Sequence, residues 1–355
     1  MVMSSMKPFL KVPANEGERI RRTLIEKGLL DTEYKIISQN DSLYMPLTSK
    51  IQEDQASAIV GPIDFEVGEK EFEGVLQGPR TLTEALEEHL DSEELSLVPR
   101  AYDLIGDIAV LEIPEELEPH SDLIGKVFHE VHKNFSTVLA KGGAISGTTR
   151  TREYRHLAGV DKTATIHTEY GCRIAVNLAK AYFSPRLLEE HNRIAQLVKD
   201  NEVVVDMFCG VGPFPIHITK QHKAHVIAID INPDAIALLK ESMTLNKLKG
   251  TIEPVVEDAR TFVSRSKESV ADRIIMNHPS GAFDFVADAC RILKPGGTLH
   301  YYDFIGGEDP EHTVEQKVKK LIESSGRVVQ ETNLIRRVRD SAPYEFQMVI
   351  DLIIK

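Results

Sequence analysis

Two periodicities of apolar residues succeed one another along the 355-residue chain. From Glu16 to Leu30 the apolar residues Ile20, Leu24, Ile25 and Leu29 keep helical spacing, which predicts an amphipathic helix weakened in its last turn by Gly28. Residues 31–48 form two short strand-like runs around the turn residues Asn40 and Asp41. The segment GEKEFEG, residues 68–74, reads as a charged connector. The pattern then predicts a helix over 81–98 with Thr81 or Thr83 as its cap, a strand over 102–113, and an amphipathic helix opened by Ser121. A strand followed by a glycine- and threonine-rich loop is expected over 136–159, and a hairpin turning at Glu169-Tyr170-Gly171 over 163–178.

From about residue 186 the rhythm changes. Apolar runs such as VVVDMF, AHVIAIDI, TIEPVV, DRIIM and TLHYYDFI alternate with stretches of helical period. Strands apolar on both faces and separated by helices indicate a parallel sheet covered on both sides. The fold class is therefore α/β, with a C-terminal doubly wound, Rossmann-like domain preceded by smaller α+β domains. The divisions are placed at residues 1–78, 79–185 and 186–355, and the final run FQMVIDLIIK is placed as an antiparallel strand at the end of the sheet.

Polar residues gather where the apolar runs stop. Gly210 and Gly212 follow the first strand of this half, where a ligand can approach the backbone closely at a helix start. Pro215 occupies the third position of a dinucleotide fingerprint, which disfavours a nicotinamide cofactor and an oxidoreductase. Asp206 can accept from an ammonium group, and Asp230, closing the second strand, suits two ribose hydroxyls. Asp258 and Ala259 end the third strand, where a side chain and a backbone N–H can read an adenine edge. Phe208, Ile231, Asn277 and Pro279 complete the expected contacts, and the set fits S-adenosyl-L-methionine. Asn277-His278-Pro279-Ser280 ends the fourth strand, and an Asn amide there can donate and accept at a planar base edge.

Charge first argues against a nucleic-acid partner, because the formal net charge is −13. The excess is local. Residues 81–125 carry 13 acidic and 1 basic side chains, whereas residues 126–195 carry 11 basic and 6 acidic. A polarised surface follows, with the acidic stretch turned away from the catalytic cleft. The 3 cysteines, Cys172, Cys209 and Cys290, are odd in number and widely spaced. They form neither a disulfide framework nor a zinc motif, so no metal is expected and a reducing cytoplasm is the default. The N-terminus lacks the apolar core of a secretory signal, and no apolar run is long enough to span a membrane.

The segments GDIAVLEIP, REYRHLAG, TIHTEYGCRIAVNLAKAYFSPRL, VVVDMFCGVGPFPI, AIDINPDAI, NHPSGAF and LKPGGTLHYYDF together resemble the archaeal/eukaryotic-type tRNA (guanine-37 N1)-methyltransferases, from about residue 95 to the end. The resemblance implies methyl transfer from S-adenosyl-L-methionine to N1 of guanosine 37, by a monomer with RNA-binding domains ahead of its methyltransferase domain. It implies that residues 1–78 contact the tRNA elbow. It also implies roles: Arg150 at O6, Glu190 as general base, Asn277 at the guanine edge, and Arg186 as a further arginine needed for activity. The register of Arg150 against Arg152 stays open, because Thr148-Thr149 stands where relatives carry an acidic-aromatic pair. The nearest rival is the aminocarboxypropyl transferase of the wyosine pathway; a bifunctional relative methylating a wyosine intermediate and a noncatalytic RNA-binding protein are the others.

Overall fold

The computed structural model describes residues 4–74, 81–146 and 151–355. It divides into two compact units, Met1–Ala85 and Leu86–Lys355. In the first, β1 (Ser4–Pro13), α1 (Gly17–Glu26), β2 (Ile37–Gln39), β3 (Ser42–Pro46), α2 (Glu53–Val60) and β4 (Glu66–Glu73) follow one another. The strands pair antiparallel in the order β2-β3-β1-β4. Ile20 and Leu24 of α1 and Ala56 and Val60 of α2 pack with Leu10, Val12, Met45 and Leu47. The segment expected to be a charged connector is therefore an edge strand: Glu69 and Glu71 are exposed while Phe72 is buried, the alternation of a half-buried strand hidden among charges.

The expected helix over 81–98 is two short ones, α3 (Leu82–Leu86) and α4 (Ser92–Leu97). Asp91 breaks it, because its side chain accepts from the Glu93 and Glu94 amides and starts a new helix. Beyond lie β5 (Asp103–Ile105), β6 (Ile108–Leu111), α5 (Ser121–Val131), β7 (Thr137–Ser146) and β8 (Thr151–Gly159), a sheet in the order β5-β6-β7-β8. Ser121 opens α5 but does not cap it; its hydroxyl accepts from Arg155 instead. The stretch read as a loop contains β8, antiparallel to β7, so Arg152 and Arg155 stand on a strand. The hairpin of β9 (Ala164–Glu169) and β10 (Cys172–Asn177) turns as expected, with Tyr170 and Gly171 both left-handed.

The largest sheet runs β13-β12-β11-β14-β15-β17-β16. Its elements in chain order are α6 (Leu188–Leu197), β11 (Val203–Asp206), α7 (Pro213–Gln221), β12 (His225–Asp230), α8 (Pro233–Leu245), β13 (Thr251–Val256), α9 (Ala259–Arg265), β14 (Ala271–Met276), α10 (Val286–Ile292), β15 (Leu293–Gly306), α11 (Pro310–Ser324), β16 (Val329–Ala342) and β17 (Glu345–Ile354). The first five strands are parallel, and β17 is antiparallel to β15. The last run of the chain does not end the sheet, because β16 adds outside it as the edge. The hairpin β9–β10 packs on α8, with Ser242 Oγ accepting from the Ala175 amide at 2.9 Å and Asn246 bonding both backbone groups of Arg173. The boundary expected at residue 185 thus runs through one body.

A buried polar chain crosses this body. Arg193 bonds Glu190 and, at 2.5 Å, Asp351; His300 Nδ1 bonds Asp351 at 2.6 Å; Arg273 bonds His300 Nε2 at 2.7 Å and Glu202 at 2.8 Å. Burial alone would push the Asp351 carboxyl up, but His300 and Arg193 outweigh it and hold the group well below the usual carboxylate range. Because the folded value is depressed, the stabilisation is present above the unfolded carboxylate range and is lost as pH falls through and below it. Asp351→Ala takes the carboxylate from His300 and from one arm of Arg193, which keeps Glu190, and is expected to cost about 3 kcal/mol in urea unfolding at pH 7, with the gap to wild type narrowing below about pH 4.

Candidate active site

Four parallel strands deliver the expected residues to one edge. A cavity of about 460 Å³ opens there, lined by Phe208 and Gly210 after β11, Asp230 and Ile231 after β12, Asp258 and Ala259 after β13, and Asn277 and Pro279 after β14. That volume is in the range of small-molecule sites. A wider cleft of about 1220 Å³, lined among others by Leu104, Lys162, Asn177 and Lys180, holds none of these strand-end residues.

The glycine loop is shaped by two different needs. The Gly210 amide donates to Asp230 Oδ2 at 2.8 Å, which ties the ends of β11 and β12 together. Asp230 Oδ1 accepts from the Asn232 amide at 2.8 Å. Burial pushes the Asp230 carboxyl up. Gly212 does not line the cavity: it caps α7 at φ +82°, and a Cβ there would lie 2.2 Å from Leu239 Cδ1. It is required by the packing of α7 against α8 and by its left-handed backbone.

Asp258 caps α9, and both cap bonds, from the Arg260 and Thr261 amides, go to Oδ1. Ile231, 47% exposed, and Phe208, edge-on to Phe285 at 5.0 Å, offer apolar faces to a flat ring. A nucleoside fits this donor set: a carboxylate for a diol, close backbone approach at Gly210, and apolar walls for a base.

Asp206 lies deeper than its expected role requires. It is fully buried, is absent from the cavity wall, accepts from the Phe208 amide at 3.3 Å, and leaves Oδ2 without a partner among the described residues. Burial pushes its carboxyl up to about 8.

The residues assigned to catalysis are not all together. Asn277 is in the cavity, and Gln347 Nε2 donates to its Oδ1 at 3.3 Å while Arg339 Nε donates to Gln347 Oε1 at 2.7 Å. Glu190 is 1% exposed and off the cavity wall. Its carboxylate accepts from Arg193 and from the Tyr302 hydroxyl at 2.8 Å and pairs with Arg336. Arg186 is half exposed and bonds Asp103 Oδ1 at 2.7 Å. Arg150 lies outside the described residues; Arg152 is on β8 with its Nε buried and unpartnered among them. Arg155 bonds Glu118 and Ser121. None of Glu87, Glu88, Glu93 and Glu94 lines the cavity.

Sequence reasoning missed Gln347 and Arg339 as cavity residues. Gln347 carried a signal, being a polar residue in the otherwise apolar run FQMVI.

A doubly wound sheet with its seventh strand reversed, and a nucleoside-sized cavity at its carboxyl edge, defines a Rossmann-like methyltransferase. Residues 165–332 match the TRM5/TYW2 methyltransferase domain, residues 82–163 the TYW2 N-terminal domain, and residues 10–55 the tRNA methyltransferase 5 N-terminal domain. The chain belongs to the TRM5/TYW2 methyltransferase family. A Pyrococcus abyssi protein named tRNA (guanine(37)-N(1))-methyltransferase Trm5b is 40% identical over 96% of this chain and 97% of its own. A solved complex of aTrm5 and tRNALeu is similar with a TM-score of 0.72 and 37% identity, over 98% of this chain and 99% of that one. A Pyrococcus horikoshii tRNA(Phe) (4-demethylwyosine(37)-C(7)) aminocarboxypropyltransferase is 34% identical over 76% of this chain and 95% of its own.

The raised Asp206 carboxyl has a measurable signature. A folded value above the unfolded one means that the native state holds the extra proton, so this group's contribution to stability falls as pH rises from about 4 to about 8. Asp206→Asn removes that dependence. The melting temperature of the variant should rise relative to wild type across this window and hold a constant lead above it; a lead that does not change with pH would show that Asp206 is ionised throughout.

Proposed function

We propose that this protein transfers the methyl group of S-adenosyl-L-methionine to N1 of guanosine 37 of tRNA. The observation that carries the reading is the presence of Asn277 and Pro279 in the same cavity as Asp230 and Asp258, so a base edge is read beside a nucleoside site. The match of residues 10–55 to the tRNA methyltransferase 5 N-terminal domain supports this over aminocarboxypropyl transfer, since the relative of that activity covers only 76% of the chain. Residues 1–78 are assigned to the tRNA elbow, 79–185 to RNA binding and 186–355 to methyl transfer. The reaction is assigned to a monomer in the cytoplasm, a setting that the three buried free cysteines suit.

Bound in the cavity, S-adenosyl-L-methionine supplies an activated methyl carbon. Asp230 would hold the ribose diol, Asp258 and the Ala259 amide the adenine edge, and Phe208 and Ile231 its faces. Asn277, oriented by Gln347, positions the guanine. Its N1 proton must leave to a base, assigned to Glu190, and the charge that builds on O6 is met by Arg150. Arg186, which bonds Asp103, is assigned as a further arginine needed for activity. Arg336, Arg193 and Tyr302 occupy Glu190 and it stands off the cavity wall, so this role requires the carboxylate to be released when tRNA binds.

The test is transfer of labelled methyl to tRNA transcripts bearing G or A at position 37. Label is expected on the G form alone, mapped to N1; equal labelling of the A form, or transfer of the cofactor's carboxypropyl carbons, contradicts the reading. Glu190→Gln and Arg150→Ala should each lower turnover by about 10²-fold or more with little change in cofactor affinity.

A further inference from the structure

One cluster in the large unit is used neither by the nucleoside site nor by the base-edge chemistry. Glu169 ends β9, His191 lies in α6, and His217 lies in α7; they are 3%, 1% and 0% exposed. One donor atom of each lies within 4.8 Å of the other two. Glu169 Oε2 stands 3.3 Å from His217 Nε2 and 2.7 Å from His191 Nδ1. The first separation suits two donors each about 2.0–2.1 Å from a tetrahedral ion, which lie roughly 3.4 Å apart. The second is a hydrogen-bond distance and opens by several tenths of an ångström when an ion enters.

Hydrogen bonding leaves the cluster incomplete. Among the described residues His217 Nδ1 has no partner, and His217 Nε2 and Glu169 Oε1 make only long, poorly aligned contacts, of 3.3 Å to Glu169 Oε2 and 3.5 Å to His167 Nε2. Polar atoms left unmet at such burial are rare and call for an occupant. The rings are already held in place: His191 lies edge-on to Phe214 at 4.8 Å, and His217 edge-on to Tyr170 at 6.2 Å. An outer partner for the carboxylate is also present. His167 Nδ1 accepts from the Gly106 amide at 3.0 Å, so in the neutral ring Nε2 carries the proton, and it stands 3.5 Å from Glu169 Oε1.

We propose that Glu169, His191 and His217 bind a divalent ion of the zinc class. Two imidazoles and one carboxylate, with no thiolate, suit zinc rather than magnesium or calcium, which take oxygen donors. With every ligand buried the site is structural: it ties the turn after β9 and the start of α6 to α7, the helix that follows the glycine loop. His191 also lines the nucleoside cavity, so the ion steadies one of its walls.

The test uses the full-length chain without a histidine tag, stripped with a chelator and titrated with ZnCl2 and, separately, CoCl2. One equivalent is expected to bind, with the visible bands of tetrahedral cobalt, displacement of cobalt by zinc, and a zinc-dependent rise in melting temperature. His217→Gln is expected to weaken zinc binding about 100-fold or more. X-ray absorption on the zinc-loaded wild-type chain keeps the test independent of how the variant folds; it should show two imidazoles and oxygen. A chain that binds no zinc at micromolar concentration, a His217→Gln variant that binds as tightly as wild type, or a sulfur or all-oxygen shell overturns the proposal.

Discussion

Val204 and Val205 of β11 and Ile274 and Ile275 of β14 are fully buried, because helices cover both faces of the sheet at its centre. Strands so enclosed have no solvated face on which to place a functional group. Polar chemistry is driven to their carboxyl ends, where the chain leaves the sheet and the next helix begins. This constraint brings Asp230, Asp258 and Asn277, separated by tens of residues in sequence, into one cavity. It also explains the Gly210–Asp230 bond, since adjacent parallel strands ending at the same level place a loop amide beside the next strand's carboxylate.

The same enclosure makes the polar residues inside the body interdependent. Glu190, Arg193, Asp351, His300, Arg273 and Glu202 form one bonded chain from α6 to β15, β17 and β14. Each charge is tolerated because its neighbour is present. Glu190 is thereby held in place inside the body by Arg193, Tyr302 and Arg336. Orientation of Asn277 by Gln347 follows the same principle on a smaller scale.

Much of this was legible from residue pattern. The β-α alternation after residue 186, the Tyr170-Gly171 turn and the strand-end acids are local signals, written in apolar runs and in the residues that stop them. What escaped was set by pairing rather than by local pattern. β4 hides one buried face among charges, and β16 is an edge strand whose polar residues obscure its alternation. Gly212 looked like a cofactor glycine but serves the contact of α7 with Leu239. Asp206 sits at a position that suggests a ligand contact, yet its carboxyl is turned into the interior. The Glu169, His191 and His217 cluster has no sequence spacing at all, because hairpin and helices meet only in the fold.

The central claim is that the strand-end cavity is a nucleoside site built around Asp230. Calorimetric titration of the full-length chain with S-adenosylhomocysteine tests it most directly. One equivalent should bind wild type, Asp230→Ala should weaken binding by about 10-fold or more through loss of a charged hydrogen bond to the diol, and NAD should not bind. Equal affinity in wild type and Asp230→Ala, or binding of NAD in preference to S-adenosylhomocysteine, would contradict the account.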